Sequence, residues 1–187
     1  MKLSYPLSVA LILVALVIGM GIGFASSPPY PATMESEQTM GLGTPDRWVD
    51  LRYINAMIRH HRGAMLLAEV AKKESKRPEI HGLSIAILDN EPKLIDELYS
   101  WKRAWYNDTR RVTDPAIPNL ATYDEKFDLR LLNALIAHHE AGIAMTSEIR
   151  MKSSNKDVLN NADAVELFLT DSTATLKNWR TTWYQLP

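Results

Sequence analysis

"DLRYINAMIRHH", residues 50–61, returns as "DLRLLNALIAHH" at residues 128–139. Asp, Leu, Arg, Asn, Ala and two adjacent histidines hold the same places in both, at an offset of 78, the distance from Asp50 to Asp128. The same offset carries Leu98, Trp101, Trp105 and Tyr106 onto Leu176, Trp179, Trp183 and Tyr184. Rare residue types coinciding at one shift over so long a span mark an internal duplication.

Each copy reads as two helices. In the first, Thr44 reads as a cap and Pro45 as the first helical residue. Trp48, Leu51, Ile54, Ile58, Met65 and Ala68 then recur at helical spacing. Pro78 marks the next helix, which runs to Tyr106 with Pro92 inside it, where a kink is expected. The second copy opens on Thr122 and Glu125, a capping-box pattern. Its first helix ends at the turn "SSN", and the last helix spans Lys156 to Tyr184. Pro115 and Pro118 forbid helix in the stretch joining the copies. The expected fold is all-α: a four-helix bundle of two duplicated hairpins over residues 44–184, with repeats at about 44–107 and 122–184. Trp101 with Trp105, and Trp179 with Trp183, each share a helical face and read as packing residues.

The 187 residues suffice for one domain with a sizeable core. Lys and Arg number 21 against 22 Asp and Glu, without a basic stripe, which argues against nucleic acid as a partner. Cysteine is absent. Disulfides and thiolate metal sites are excluded, and imidazole, thioether and carboxylate remain as metal ligands. Residues 1–25 read as a signal peptide or membrane anchor: Lys2, an apolar run from Leu7 to Met20, then Gly23 and Ala25 before a cleavage point. Extended to Phe24, the run is about long enough to span a bilayer. Export follows under either reading, with the folded part periplasmic, extracellular or tethered to a membrane and facing outside. Residues 26–43, rich in Pro, Gly and small polar residues, read as a flexible tether that includes Met34 and Met40.

Four of the five histidines fall in the two pairs, His60 with His61 and His138 with His139. Successive helical residues are rotated by about 100°, so the members of a pair are expected to straddle the edge of the buried face. The stripe through His61 holds Met57, Met65 and Asp50. The stripe through His139 holds Leu135, Ile143 and Asp128, and Met145 lines up with His138. Imidazole with thioether and no thiolate points to copper, above all Cu(I), with zinc as second choice. The competing reading has each histidine hydrogen-bonded structurally in the core. Two pairs in one register, each with an upstream Asp, favour a metal site made of His60, His61, Met57, Met65, Asp50, His138, His139, Met145 and Asp128.

Other chemistries fit less well. "HHEAGIA" places Ile143 where a zinc protease needs its second His. No Glu stands three residues before a histidine, as di-iron bundles require. Phosphate loops and nucleophile elbows are missing. His81 reads as a surface residue. The expected role is sequestration or handover of metal rather than catalysis. The rival is a cell-envelope interaction module with structural histidines and no metal, and a redox enzyme comes third for want of a substrate pocket.

At these residues the chain resembles the secreted domain of unknown function 305 family. The pattern is an Asp, an apolar stretch, M-I-x-H-H, a small residue and a Met, then a helix ending near Trp. "MIRHHRGAMLLA" (57–68) and "LIAHHEAGIAMT" (135–146) carry it, and the likeness covers about Thr44 to Tyr184. It implies a ferritin-like four-helix bundle, often duplicated, and copper binding outside the cytoplasm, since the family includes an exported copper-binding protein. The first copy departs from the pattern at Leu67, the usual Met position, with Met65 two residues earlier. The second has Leu135 in place of the Met before its histidines. The family's second helix commonly carries Gln and Glu one turn apart. Counting back from Trp101 puts Glu91 and Leu94 there, against Leu169 and Ser172 in the second copy.

Overall fold

The computed structural model describes residues 41–186. Residues 1–25, read as a signal or anchor, and the part of the expected tether up to residue 40 lie outside the described residues. Four helices follow: α1 Val49–Glu74, α2 Pro78–Tyr106, α3 Phe127–Arg150 and α4 Lys156–Tyr184. Among the described residues, no helix is long and apolar enough to cross a membrane.

Both copies begin their first helix later than the Thr and Pro signals suggest. α1 starts at Val49 and α3 at Phe127, so Thr44, Pro45, Thr122 and Glu125 precede the helices. The reason is one device used twice. The Asp46 carboxylate accepts the Trp48 N–H at 2.9 Å, and Asp124 accepts that of Lys126 at 2.9 Å. Arg52 then donates to the carbonyls of Leu42 at 2.6 Å and Thr44 at 2.5 Å. Arg130 does the same to Leu120 at 2.9 Å and Thr122 at 3.4 Å. The threonines thus serve through their carbonyls, while the aspartates satisfy free N–H groups at the helix entrance. Leu42, 4 % exposed, is part of the folded unit rather than of a tether.

Pro78 opens α2 as expected, and the helix runs on through Pro92 for 29 residues. α2 and α4 both stop on a left-handed residue, Asn107 at φ 49° and Gln185 at φ 56°, again 78 apart. α1 packs on α2, α3 on α4, and the hairpins meet along α1 and α3. At one end, Val49, Tyr53, Ile54, Met57 and Ile58 of α1 pack with Ile95 and Leu98, and with Ile149, Val158 and Ala162 of the other hairpin. The buried Tyr53 hydroxyl donates to Asn161 Oδ1 at 2.7 Å across that join. At the other end, Leu67, Ala71 and Ile80 pack with Phe127, Leu131, Leu132, Leu135 and Leu176. α1 and α3 are therefore antiparallel, and their midpoints cross between the two apolar clusters. Trp101 stacks on Trp105 with ring centroids 5.0 Å apart, and Trp179 on Trp183 at 5.3 Å. Each pair leans on a different cluster, as packing residues should.

Candidate metal centre

The midpoints of α1 and α3 are the histidine pairs. His60, His61 and His139 are buried and His138 half-buried. The pairs do not straddle a solvent boundary, because α1 is covered on two sides: His60 turns to α3 and His61 to α2. The His60 and His138 rings lie face to face, 3.9 Å between centroids and 1° from parallel. His61 and His139 flank this stack, at 5.9 Å from His60 and 6.1 Å from His138 respectively.

Two glycines let the helices come this close. A Cβ at Gly142 would stand 2.7 Å from His60 Cε1 and 2.5 Å from a Leu169 methyl. One at Gly63 would stand 3.1 Å from His138 Cε1 and 3.4 Å from Pro115 Cγ. Each helix thus offers a glycine to a histidine of the other. Arg62, beside His61, fastens the connector with a bidentate pair to Asp114, both bonds at 2.8 Å.

Removal from water disfavours the charged imidazolium. Burial holds His60 well below its ordinary range, and the neighbouring imidazoles push in the same direction. Burial brings His138 down to about 4, with Glu91 opposing, and brings His139 to about 4 with help from His138. These three rings are neutral at pH 7, the state in which imidazole binds metal. Three buried ring nitrogens have no hydrogen-bond partner: His61 Nε2, His138 Nε2 and His139 Nδ1. His61 Nδ1 is hydrogen-bonded to Glu91 Oε2, a buried carboxylate on α2.

The remaining sequence-derived ligands divide. Met57 is fully buried in the first apolar cluster, and Met65 and Met145 pack against that same cluster from opposite hairpins. Arg62 Nη1 approaches Met65 Sδ at 3.7 Å. Asp50 and Asp128 do not join the histidines. Eleven residues from His61 and His139, they lie about 16 Å away along the helix axes. Asp50 is hydrogen-bonded by Ser153, and burial raises its pKa. Asp128 Oδ2 lies 3.3 Å from Arg77 Nε. Both stand at the ends of the bundle. Among the described residues, no three His, Asp or Glu side chains converge on one metal-sized point. The stack explains this, since parallel rings aim their in-plane lone pairs side by side instead of at a shared centre. The donor chemistry still fits a soft or borderline ion: neutral imidazoles, unsatisfied nitrogens and thioethers nearby. His81 is half-buried, its Nε2 2.7 Å from the Ser75 carbonyl, and closes the α1–α2 turn rather than lying free on the surface.

Residues 50–126, the first copy and the connector, match the model of DUF305, a domain of unknown function. The family resemblance holds. Among solved structures, CopM in the Cu(I)-bound form is 26 % identical, with a TM-score of 0.66 over 74 % of this chain and 99 % of that one. CopM in a silver-bound form obtained by soaking is 27 % identical, with a TM-score of 0.64 over 74 % and 99 %. A DUF305 fragment from Deinococcus radiodurans, 18 % identical with a TM-score of 0.59 over 73 % and 96 %, shares the fold. No curated protein matches significantly. Glu91 entered the sequence reading only as the occupant of a family position. Gly63 and Gly142 did not enter it, although the small residue after each histidine pair in the DUF305 pattern is their signal.

Proposed function

We propose that this protein binds copper, Cu(I) before other ions and zinc as second choice, through the histidines at the α1–α3 crossing with help from Met57, Met65 and Met145. Its role is sequestration or handover, not catalysis. The observation that carries the reading is the set of three buried, unpartnered imidazole nitrogens at one level of the bundle. An unpaired buried polar atom costs about 1–3 kcal/mol, and a metal that takes imidazole removes that cost. The likeness to CopM, solved with Cu(I) and with silver, supports the same class of ion.

The test is Cu(I) titration against a competing chelator, with Zn(II) in parallel, on the natural protein and on His60→Ala with His61→Ala. Loss of Cu(I) binding with an unchanged helical circular-dichroism signal is the expected result. Full copper uptake by that variant would defeat the assignment. Met57→Leu with Met65→Leu should weaken Cu(I) more than Met145→Leu, and Zn(II) less than Cu(I). As part of the same reading, residues 1–25 direct the protein out of the cytoplasm. Mass spectrometry from the native host should find a start at Ser26 or an intact membrane-bound chain.

A further inference from the structure

Glu91 is a carboxylate in an expensive place. Its side chain is 10 % exposed, on α2, facing a helix whose neighbouring core residues are apolar. A buried carboxylate persists where a specific partner compensates its lost hydration. The partner is the Nδ1 side of the His61 ring, itself 6 % exposed. The other ring nitrogen, Nε2, is buried and has no partner. A carboxylate can only accept, so the hydrogen between them sits on His61 Nδ1. In the neutral ring this leaves Nε2 with its lone pair free and its direction fixed.

The second copy supplies the control. The residue 78 positions after Glu91 is Leu169, buried at 4 %. His139, the counterpart of His61, correspondingly has a buried Nδ1 with no partner. One copy has a ring oriented by a carboxylate, and the other has the same ring beside a leucine.

We propose that Glu91 is a positioning residue: it locks His61 in the Nδ1–H tautomer, aims Nε2 into the α1–α3 crossing, and makes His61 the leading donor of the bundle. A carboxylate in this place orients the ring the way outer residues orient metal-bound histidines. This rests on the copper reading for its consequence, but the tautomer is a property of the metal-free protein.

The experiment therefore has two readouts on the whole folded chain: imidazole ¹⁵N shifts without metal, and Cu(I) affinity against a chelator. The natural protein should show His61 with a protonated Nδ1 and an unprotonated Nε2. Glu91→Leu, which copies the second half, should mix or reverse that pattern and weaken Cu(I) about 10- to 100-fold. Glu91→Gln, whose amide oxygen still accepts, should keep the tautomer and lose less affinity. If Glu91→Leu does not fold, the natural protein and Glu91→Gln decide the matter. An unprotonated Nδ1 in the natural protein overturns the proposal. So do unchanged spectra and affinity in a folded Glu91→Leu. A spectrum that responds in a protein taking up no Cu(I) leaves the positioning role standing and sinks the copper reading. Copper uptake indifferent to Glu91 does the reverse.

Discussion

The two hairpins share the contacts that frame them and differ at the centre. Outside, Arg52 and Arg130 hold the same carbonyls, Asp46 and Asp124 accept the same N–H groups, and Asn107 and Gln185 end the same helices. Inside, Glu91 faces His61 where the second copy has Leu169, and Met57 and Met65 stand where it has Leu135 and Ile143. The features that build a hairpin, and the histidine pairs with them, occur in both copies, whereas the carboxylate at His61 and its two flanking thioethers occur in one. A two-fold scaffold therefore does not imply two equal sites.

The strongest way to break this comparison is to remove one flanking histidine at a time. His61→Ala should cost more Cu(I) affinity than the roughly 100-fold that outer partners command, and His139→Ala about tenfold or less on the same footing. Equal losses, measured by chelator competition, would mean that the halves contribute alike.

Acid should act through the histidine pair on α3. His138 and His139 titrate at about 4 in the fold, against 6.5 for a free imidazole. Between these values the unfolded chain binds more protons, so the contribution to stability is complete above pH 6.5 and drains away as pH falls towards 4. At about 1.4 kcal/mol per unit, each ring accounts for roughly 3 kcal/mol over that window. Urea midpoints from pH 7 to 4 should fall, and His138→Leu with His139→Leu should flatten the fall. A slope that the double variant leaves untouched would place the acid sensitivity elsewhere.

The glycines sharpen the contrast in packing. Gly142→Ala drives a methyl to 2.5 Å from Leu169 and 2.7 Å from His60. Overpacking of that kind costs about 1–3 kcal/mol, reduced by up to about 1 kcal/mol of helix propensity. Gly63→Ala meets only His138 Cε1 at 3.1 Å and Pro115 at 3.4 Å, so propensity should bring it near neutral, within about 0.5 kcal/mol. Denaturant melts of the two variants give the comparison directly. The smallest effect expected is a parity: Arg52→Ala and Arg130→Ala should each cost about 1 kcal/mol and agree with one another. A marked difference in their urea midpoints would show that the matching geometry hides unequal roles.

Most of the bundle was legible in the sequence because a repeat with helical periodicity constrains both helices and connectivity. The starts of α2 and α4 were readable from Pro78 and from the polar turn before Lys156. The starts of α1 and α3 were not. Thr44 with Pro45 and Thr122 with Glu125 look like caps locally, but the Arg side chains one turn into each helix pull those segments into a loop. The site was legible in its residue types and less so in its geometry. A stripe on one helix cannot separate a residue one turn away, such as Met57, from one about 16 Å away, such as Asp50. The Glu91–His61 pair joins residues 30 apart on different helices, which no periodicity reveals.

The stack of His60 on His138 has a mechanical consequence. The hairpins meet chiefly along α1 and α3, and the middle of that contact is occupied by polar rings where Leu or Ile would otherwise clasp. The two apolar clusters hold the hairpins together at either end, the polar rings lie halfway between them, and residues 107–122 join the hairpins as a strap. An ion taken up at that level, as proposed above, would add a bond between α1 and α3 at the one place where apolar packing between them is interrupted.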